Sequence, residues 1–206
     1  MNFLENVFNF IFPPVCGICG KIGDEYLCKQ CKDEILHSNI FLNQLDDFQL
    51  DPNNPIDEHF YIFFYEGIIR EKILLYKFHN QPYLANTFSE FFVKNKKVCG
   101  FLKKYDIMSA IPISLFRERQ RGYNQSELIA RKVNKSGLIA FEKKLLKKIK
   151  NNQPHSVLHK KQRIENVKNV YKIENKTKIK ISEKKILLFD DIYTTGATAK
   201  ECAKLL

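Results

Sequence analysis

No stretch of this chain reaches the roughly 18–20 consecutive apolar residues needed to span a bilayer. No basic segment followed by an apolar one opens it, so no export signal is read and a cytoplasmic protein is expected. Tryptophan is absent, but 17 phenylalanines and a 44% hydrophobic composition are enough to build a core. No internal repeat is visible. Basic residues are scarce in residues 1–66, which hold 3 Lys/Arg against 11 Asp/Glu, a net −8. Residues 67–206 hold 31 against 12, a net +19. A surplus of that kind suits an anionic partner: nucleic acid, an acidic membrane surface or a polyphosphate. A solvated lysine surface is the plain alternative. The length of 206 residues suits one ordinary domain with a small appendage.

Residues 2–12 (NFLENVFNFIF) are amphipathic at helical spacing, with Phe3, Leu4, Val7, Phe8 and Ile11 on one side. Pro13 and Pro14 stop that helix. It is expected to pack on the main domain. The alternative is docking on a partner or on the inner face of the membrane, against which stands a polar face without Lys or Arg. Residues 43–59 are acidic and proline-bearing and read as a linker. HFYIFFYEG (59–67) reads as a strand, IIREKILLYKF (68–78) as a helix with Ile69, Ile73 and Tyr76 on one face, and 83–94 as another helix. YDIMSAIPI (105–113) reads as a strand ended by Pro112. LFRERQRGYNQ (115–125) reads as an arginine-rich loop, and 126–137 as a helix capped by Ser126 and closed by Gly137. Residues 143–156 read as a basic strand running into a loop. A polar segment (160–169), a short strand (170–173) and a lysine-rich stretch (174–185) follow. Strands alternating with helices predict an α/β fold with a largely parallel sheet.

In a cytoplasmic protein, six cysteines are thiols or metal ligands rather than disulfides. Cys16 and Cys19 form one CxxC pair, and Cys28 and Cys31 form a second. Each pair makes a tight knuckle that puts two thiolates on one side of a metal. Two knuckles close a four-sulfur tetrahedral site with no open position, the pattern of structural zinc; an iron–sulfur cluster is the alternative, and the symmetric CxxC pairs favour zinc. Cys202 sits in the last helix and reads as a core residue.

ILLFDDIYTTGAT (186–198) runs four apolar residues into two carboxylates and a hydroxyl- and glycine-rich turn. The apolar run lacks alternation, as in a strand buried on both faces. Asp190 and Asp191 suit the vicinal hydroxyls of a ribose and would lie close to a bound Mg²⁺. Thr194, Thr195 and Thr198 offer hydroxyls, and Gly196 with Ala197 lets backbone amides approach a phosphate. The GxxxxGK[ST] pattern is absent, so this is not a Walker loop.

FDDIYTTGAT resembles the phosphoribosyl-pyrophosphate (PRPP) loop of type I phosphoribosyltransferases. FPPVCGICG (12–20) with its second CxxC, IPISLFRERQRGYNQSELIAR (111–131) and NNQPHSVLHKKQRIENVKNVYKI (151–173) are similar, in the family's order, to the ComF competence-protein family. The resemblance implies a phosphoribosyltransferase-like domain over 60–206, an N-terminal helix and zinc module over 1–42, and the linker between them. It implies that Asp190 and Asp191 meet ribose hydroxyls and that Thr194 to Thr198 wrap the 5′-phosphate of PRPP. Residues 111–123 would take the place of the pyrophosphate loop, where Arg117, Arg119 and Arg121 would pair with diphosphate or nucleic-acid phosphate. Tyr123 would either stack on a base or join the core. Residues 151–169 would be the flexible loop over PRPP. Family members continue with a further strand, whereas this chain stops at Leu206.

The role the resemblance implies is cytoplasmic handling of single-stranded DNA in natural transformation. Two alternatives stay open: an active phosphoribosyltransferase on an unknown acceptor, and a zinc-module scaffold for a competence helicase or other DNA-processing partner. No general base can be named, because His155 and His159 lie in the expected mobile loop.

Overall fold

The computed structural model describes residues 12–39, 54–152, 160–174 and 181–206. The helix expected from residue 2 lies outside the described residues except at its end, as do most of the acidic linker and the loop histidines. No helix among the described residues is long and apolar enough to cross a membrane.

The centre is a parallel sheet of three strands, β1 (Ile107–Ala110), β2 (Ala140–Phe141) and β5 (Ile186–Phe189). Their order is β2-β1-β5, with Ile107 opposite Ile186 and Ala110 opposite Phe189. Side chains alternate across a strand, and here both faces are apolar. Met108, Ala110, Leu187 and Phe189 point into one core; Ile107, Ile186 and Leu188 point into another. That two-sided packing is why β5 shows no polar alternation.

The first core is covered by α2 (Gly67–Phe78), α3 (Leu84–Val93), α4 (Lys96–Leu102) and α6 (Gln125–Asn134). Tyr76, Leu84, Phe88, Val98, Ile129 and Val133 fill it. The second core lies beneath a separate antiparallel pair, β3 (Leu146–Lys148) with β4 (Tyr171–Ile173). Leu145, Val170 and Tyr171 pack there with Cys202 of the last helix, α8 (Ala197–Ala203). Cys202 is fully buried, as its place in the sequence suggests.

Four expectations need correction. Residues 59–66 form no strand. Their aromatic rings turn onto the helices, with Phe60 stacked on Phe101 at 4.3 Å and Phe63 edge-on to Phe91 at 4.7 Å, so the segment drapes across the helical layer without joining the sheet. The arginine-rich loop contains a helix, α5 (Leu115–Arg121). It buries no residue, so no apolar period announces it. Its start is fixed instead by Ser114, whose hydroxyl accepts from the Arg117 amide. The following helix is capped by Asn124, not Ser126: the Asn124 side-chain oxygen (Oδ1) accepts from the Ser126 and Glu127 amides. The segment 160–169 includes a helix, α7 (Lys160–Val167), which packs against α8.

Helix α1 (Lys29–Asn39) starts right after Cys28 and carries Cys31, the last member of the cysteine cluster. Leu27, Ile35, Ile69 and Phe91 form a third small core there. Gly17 lies so close to α3 that a Cβ would fall 2.3 Å from the Thr87 hydroxyl and 2.7 Å from Leu84. Thr87 in turn donates to the Tyr26 carbonyl at 2.8 Å. Gly17→Ala therefore has no room. Its melting temperature should fall by about 2–10 °C, from an overpacking cost of about 1–3 kcal/mol in a chain of this size. An unchanged melting curve would mean that the knuckle does not seat on α3.

Candidate functional site

Parallel strands bring their carboxyl ends to one edge, and there the chain assembles the residues singled out above. Asp190 follows β5 directly. Its Oδ1 accepts from the Ser126 hydroxyl at 3.2 Å and from the Asp191 amide at 2.9 Å. Asp191 is mostly buried and pairs with Lys77 of α2 at 2.8 Å. The protein crowded around the cleft floor, and then the like charge of Asp191, raise the Asp190 carboxyl above the usual carboxylate range. Its outer side remains open to solvent.

The turn that follows is built for close approach. Gly196 adopts φ +69°, a left-handed conformation that glycine takes without strain. The Tyr193 ring lies over it, so that an added Cβ would meet the phenol oxygen at 2.2 Å. The Ala197 amide meets the Thr195 hydroxyl at 3.4 Å. Thr194 is exposed, Thr195 and Thr198 are half-buried, and Gly196 and Ala197 are buried. The Tyr193 ring also packs at a tilt against His59, ring centroids 4.0 Å apart. A cleft of about 1820 Å³ opens beside the turn, lined among others by His59, Tyr65, Asp190, Asp191, Tyr193 and Lys200.

The arginines divide. Arg117 is half-buried and donates to the Asn152 carbonyl at 3.2 Å. Arg119 is exposed. Arg121 lies over the Phe78 ring, 5.1 Å from its centroid, and Phe78 is 64% exposed. Arg121 is close enough to Asp191 to feel its charge. Tyr123 belongs to the core: its hydroxyl donates to the Tyr76 carbonyl and its ring stacks on Tyr76. Asn124 does two jobs, since its amide nitrogen also donates to the Ile111 carbonyl at 3.1 Å and ties α6 to the end of β1.

Sequence reasoning missed two participants. Ser126 read as a cap, but it is a buried hydroxyl aimed at Asp190. Lys77 lies far along the chain from its partner Asp191, and no local pattern marks it.

The four cysteines converge. Cys16, Cys19, Cys28 and Cys31 place their sulfur atoms within 4.8 Å of one another. A tetrahedron with 2.3 Å metal–sulfur bonds has edges of about 3.8 Å, the separation found between the Cys19 and Cys28 sulfurs. The knuckle closes through Gly20 N–H to the Cys16 carbonyl at 2.8 Å, and the Cys28 amide points at the Cys16 sulfur at 3.5 Å. Burial works against a Cys16 thiolate, yet the amides of Cys19, Cys28 and Ile18 outweigh it and bring Cys16 to about 7. Burial pushes Cys31 the other way, well above a normal thiol. Four sulfur atoms this close can surround one cation, so the cluster can hold a metal ion.

Three curated relatives resemble the chain. It is 29% identical to "Competence protein F" of Haemophilus influenzae over 134 residues, 64% of this chain and 58% of that protein. It is 27% identical to "Competence protein ComFC" of Bacillus subtilis over 197 residues, 93% of this chain and 71% of that protein. It is 22% identical to "DNA utilization protein YhgH" of Escherichia coli K12 over 198 residues, 93% of this chain and 83% of that protein. No family model matches the chain.

Proposed function

The chain belongs to the ComF family of competence proteins, and from that premise we propose a protein of natural transformation that binds single-stranded DNA and, at the 190–198 turn, PRPP with Mg²⁺. One observation carries the PRPP reading. A carboxylate pair and a Thr-Thr-Gly-Ala-Thr turn share the carboxyl edge of the parallel sheet with Arg117 and Arg121. Carboxylates accept from ribose hydroxyls, the turn presents amides and hydroxyls to a phosphate, and guanidinium forks match phosphate oxygens. Asp190 is held in place by Ser126, and Lys77 offsets the charge of Asp191.

Single-stranded DNA needs cations along its backbone and aromatic faces for its bases. The surface around α5 supplies both. Arg119 is exposed, Phe78 lies open beneath Arg121, and Phe116 is 63% exposed. Among the described residues Arg117, Arg119 and Arg121 make no ion pair, which leaves their charge for a phosphate.

The cysteine cluster fits structural zinc, since all four ligands are sulfur and no position is left for a substrate. The metal would fix the knuckle on α3 and take no part in chemistry. The reading keeps the protein in the cytoplasm, where incoming DNA is single-stranded.

Calorimetry with PRPP and Mg²⁺, with and without a short single-stranded oligonucleotide, tests both ligands and their coupling. Three arginine–phosphate contacts on a single strand predict a slope of log K against log salt near −2. Affinity should then fall by roughly twentyfold from 50 to 200 mM salt. Replacing Arg117, Arg119 and Arg121 with glutamine should flatten that slope. Oligonucleotide binding that ignores salt would remove the DNA reading and leave the PRPP reading standing.

A further inference from the structure

Strand β5 is an outer strand of the parallel sheet: among the described residues β1 borders it on one side and no strand borders it on the other. The Lys185 carbonyl accepts from the Ile107 amide at 3.3 Å, and the Phe189 carbonyl accepts from the Ile111 amide at 2.9 Å. Backbone groups point alternately to the two sides of a strand, so residues 185, 187 and 189 serve β1. The N–H and C=O groups of Ile186 and Leu188 therefore point outward, and among the described residues they meet no partner.

Exposed edges of this kind are normally blunted by charge or proline within the strand. Residues Ile186–Phe189 carry neither. Their composition is that of a central strand, yet Ile186, Leu187 and Leu188 stay half-buried, whereas three of the four residues of β1 are fully buried. The cleft described above runs along this edge from Lys184 to Asp190. One wall is formed by Ile62, Phe63 and Phe92 on the side of the first core, the other by Ala199 and Ala203 of α8. Lys184 and Lys185 stand exposed at its amino end and make no ion pair among the described residues.

We propose that the outer edge of β5 docks an extended segment of another polypeptide, parallel to β5, apolar on both faces and acidic at its leading end. Main-chain bonds to Ile186 and Leu188 supply the attachment, as when a peptide adds a strand to a sheet edge. Apolar walls on both sides require an unbroken apolar run in the guest. The direction follows the sheet, whose described strands β2, β1 and β5 all run the same way. Lys184 and Lys185 then meet the guest's first residues and select carboxylates there. A second copy of the chain fits less well, because its own β5 lies recessed between the same two walls and cannot reach pairing distance. A bare segment can. The proposal does not depend on the PRPP reading.

Hydrogen exchange of the full chain, read at single amides by NMR, tests the groove with the end-capped peptide Asp-Glu-Val-Ile-Val-Val-Thr. At about ten times its dissociation constant the peptide should slow exchange at Ile186 and Leu188 roughly tenfold and leave α5 unchanged. N-methylation of one alternate set of peptide residues should abolish binding, and methylation of the other set should leave it intact, since only one set faces β5. Lys184→Glu with Lys185→Glu should weaken the peptide roughly two- to thirtyfold, the worth of two exposed charge pairs. A peptide that opens on two lysines should recover that loss. Three results overturn the proposal. In one, no peptide slows exchange at Ile186 and Leu188, or both amides are already protected in the free protein. In another, protection grows with protein concentration alone, which assigns the edge to pairing between copies. In the last, the reversed peptide binds as tightly as the forward one, which removes the parallel arrangement.

Discussion

Replacing Cys28 and Cys31 together with serine should leave the cluster unable to hold a metal ion and should release residues 12–35 from the domain. These residues have little core of their own: Leu27 and Ile35 meet Ile69 and Phe91 across the interface, and the cysteines supply the rest. Metal binding of this kind is worth about 10–16 kcal/mol, so without it the knuckles have nothing to hold them. Loss of Leu27 and Ile35 as cover for α2 and α3 should cost the remaining domain about 3–6 kcal/mol, at 1.5–3 kcal/mol for each buried side chain. The melting temperature should drop by roughly 10 °C or more. Limited proteolysis should cut first within 12–35, and metal analysis should find none bound. PRPP binding should persist, because no residue of the 190–198 turn belongs to that small core. A double variant that keeps its melting temperature and protease resistance would rule out a metal-dependent module. Acid should act as the substitution does: the ligands are thiolates, protons compete for them, and metal is released as pH falls.

Asp190→Asn with Asp191→Asn should lower PRPP affinity by a hundredfold or more. Each carboxylate that accepts from a ribose hydroxyl is worth about 1.5–3 kcal/mol, so two account for about 3–6 kcal/mol. The single change at Asp190 carries a pH signature. Crowding and Asp191 raise its folded-state pKa above the unfolded value. The folded protein therefore holds that proton more tightly than the unfolded chain. This contribution to stability is full below the ordinary carboxylate pKa of about 3.9 and is lost as pH rises through the raised one. Without ligand, Asp190→Asn should thus melt above the parent at pH 7.5 and level with it near pH 3.5. Ligand binding runs the opposite way. A hydroxyl donates to a carboxylate, so PRPP affinity in the parent should climb as pH rises through the Asp190 transition, and that climb should vanish in the variant. Thermal melts and calorimetry over the same pH range read both trends. A variant with parent-like affinity at neutral pH would remove Asp190 from the ligand.

The two effects separate the halves of the molecule. The cysteine cluster acts through folding energy alone and should leave the pH dependence of ligand binding untouched. The aspartates trade stability for a pair of acceptors at an open edge, and Lys77 and Ser126 limit that cost by taking up one carboxylate each.

How much of this was legible in the sequence depends on the distance over which each feature is encoded. The cysteine knuckles, the strand–carboxylate–turn of 186–198, the helix of α2 and the burial of Cys202 are local patterns, readable because spacing alone dictates their geometry. The two-faced strand was readable too, since burial on both sides leaves an unbroken apolar run. Features set by partners elsewhere in the chain were not. Residues 59–66 have the composition of a strand, yet their rings find the helices instead of a neighbouring backbone. Helix α5 hides because it is held by Ser114 and buries nothing, so its sequence has no apolar face to read. Only the tertiary structure brings Lys77 to Asp191 and Ser126 to Asp190. Charge pairing acts through space, and a linear pattern records only what lies within a turn or two along the chain.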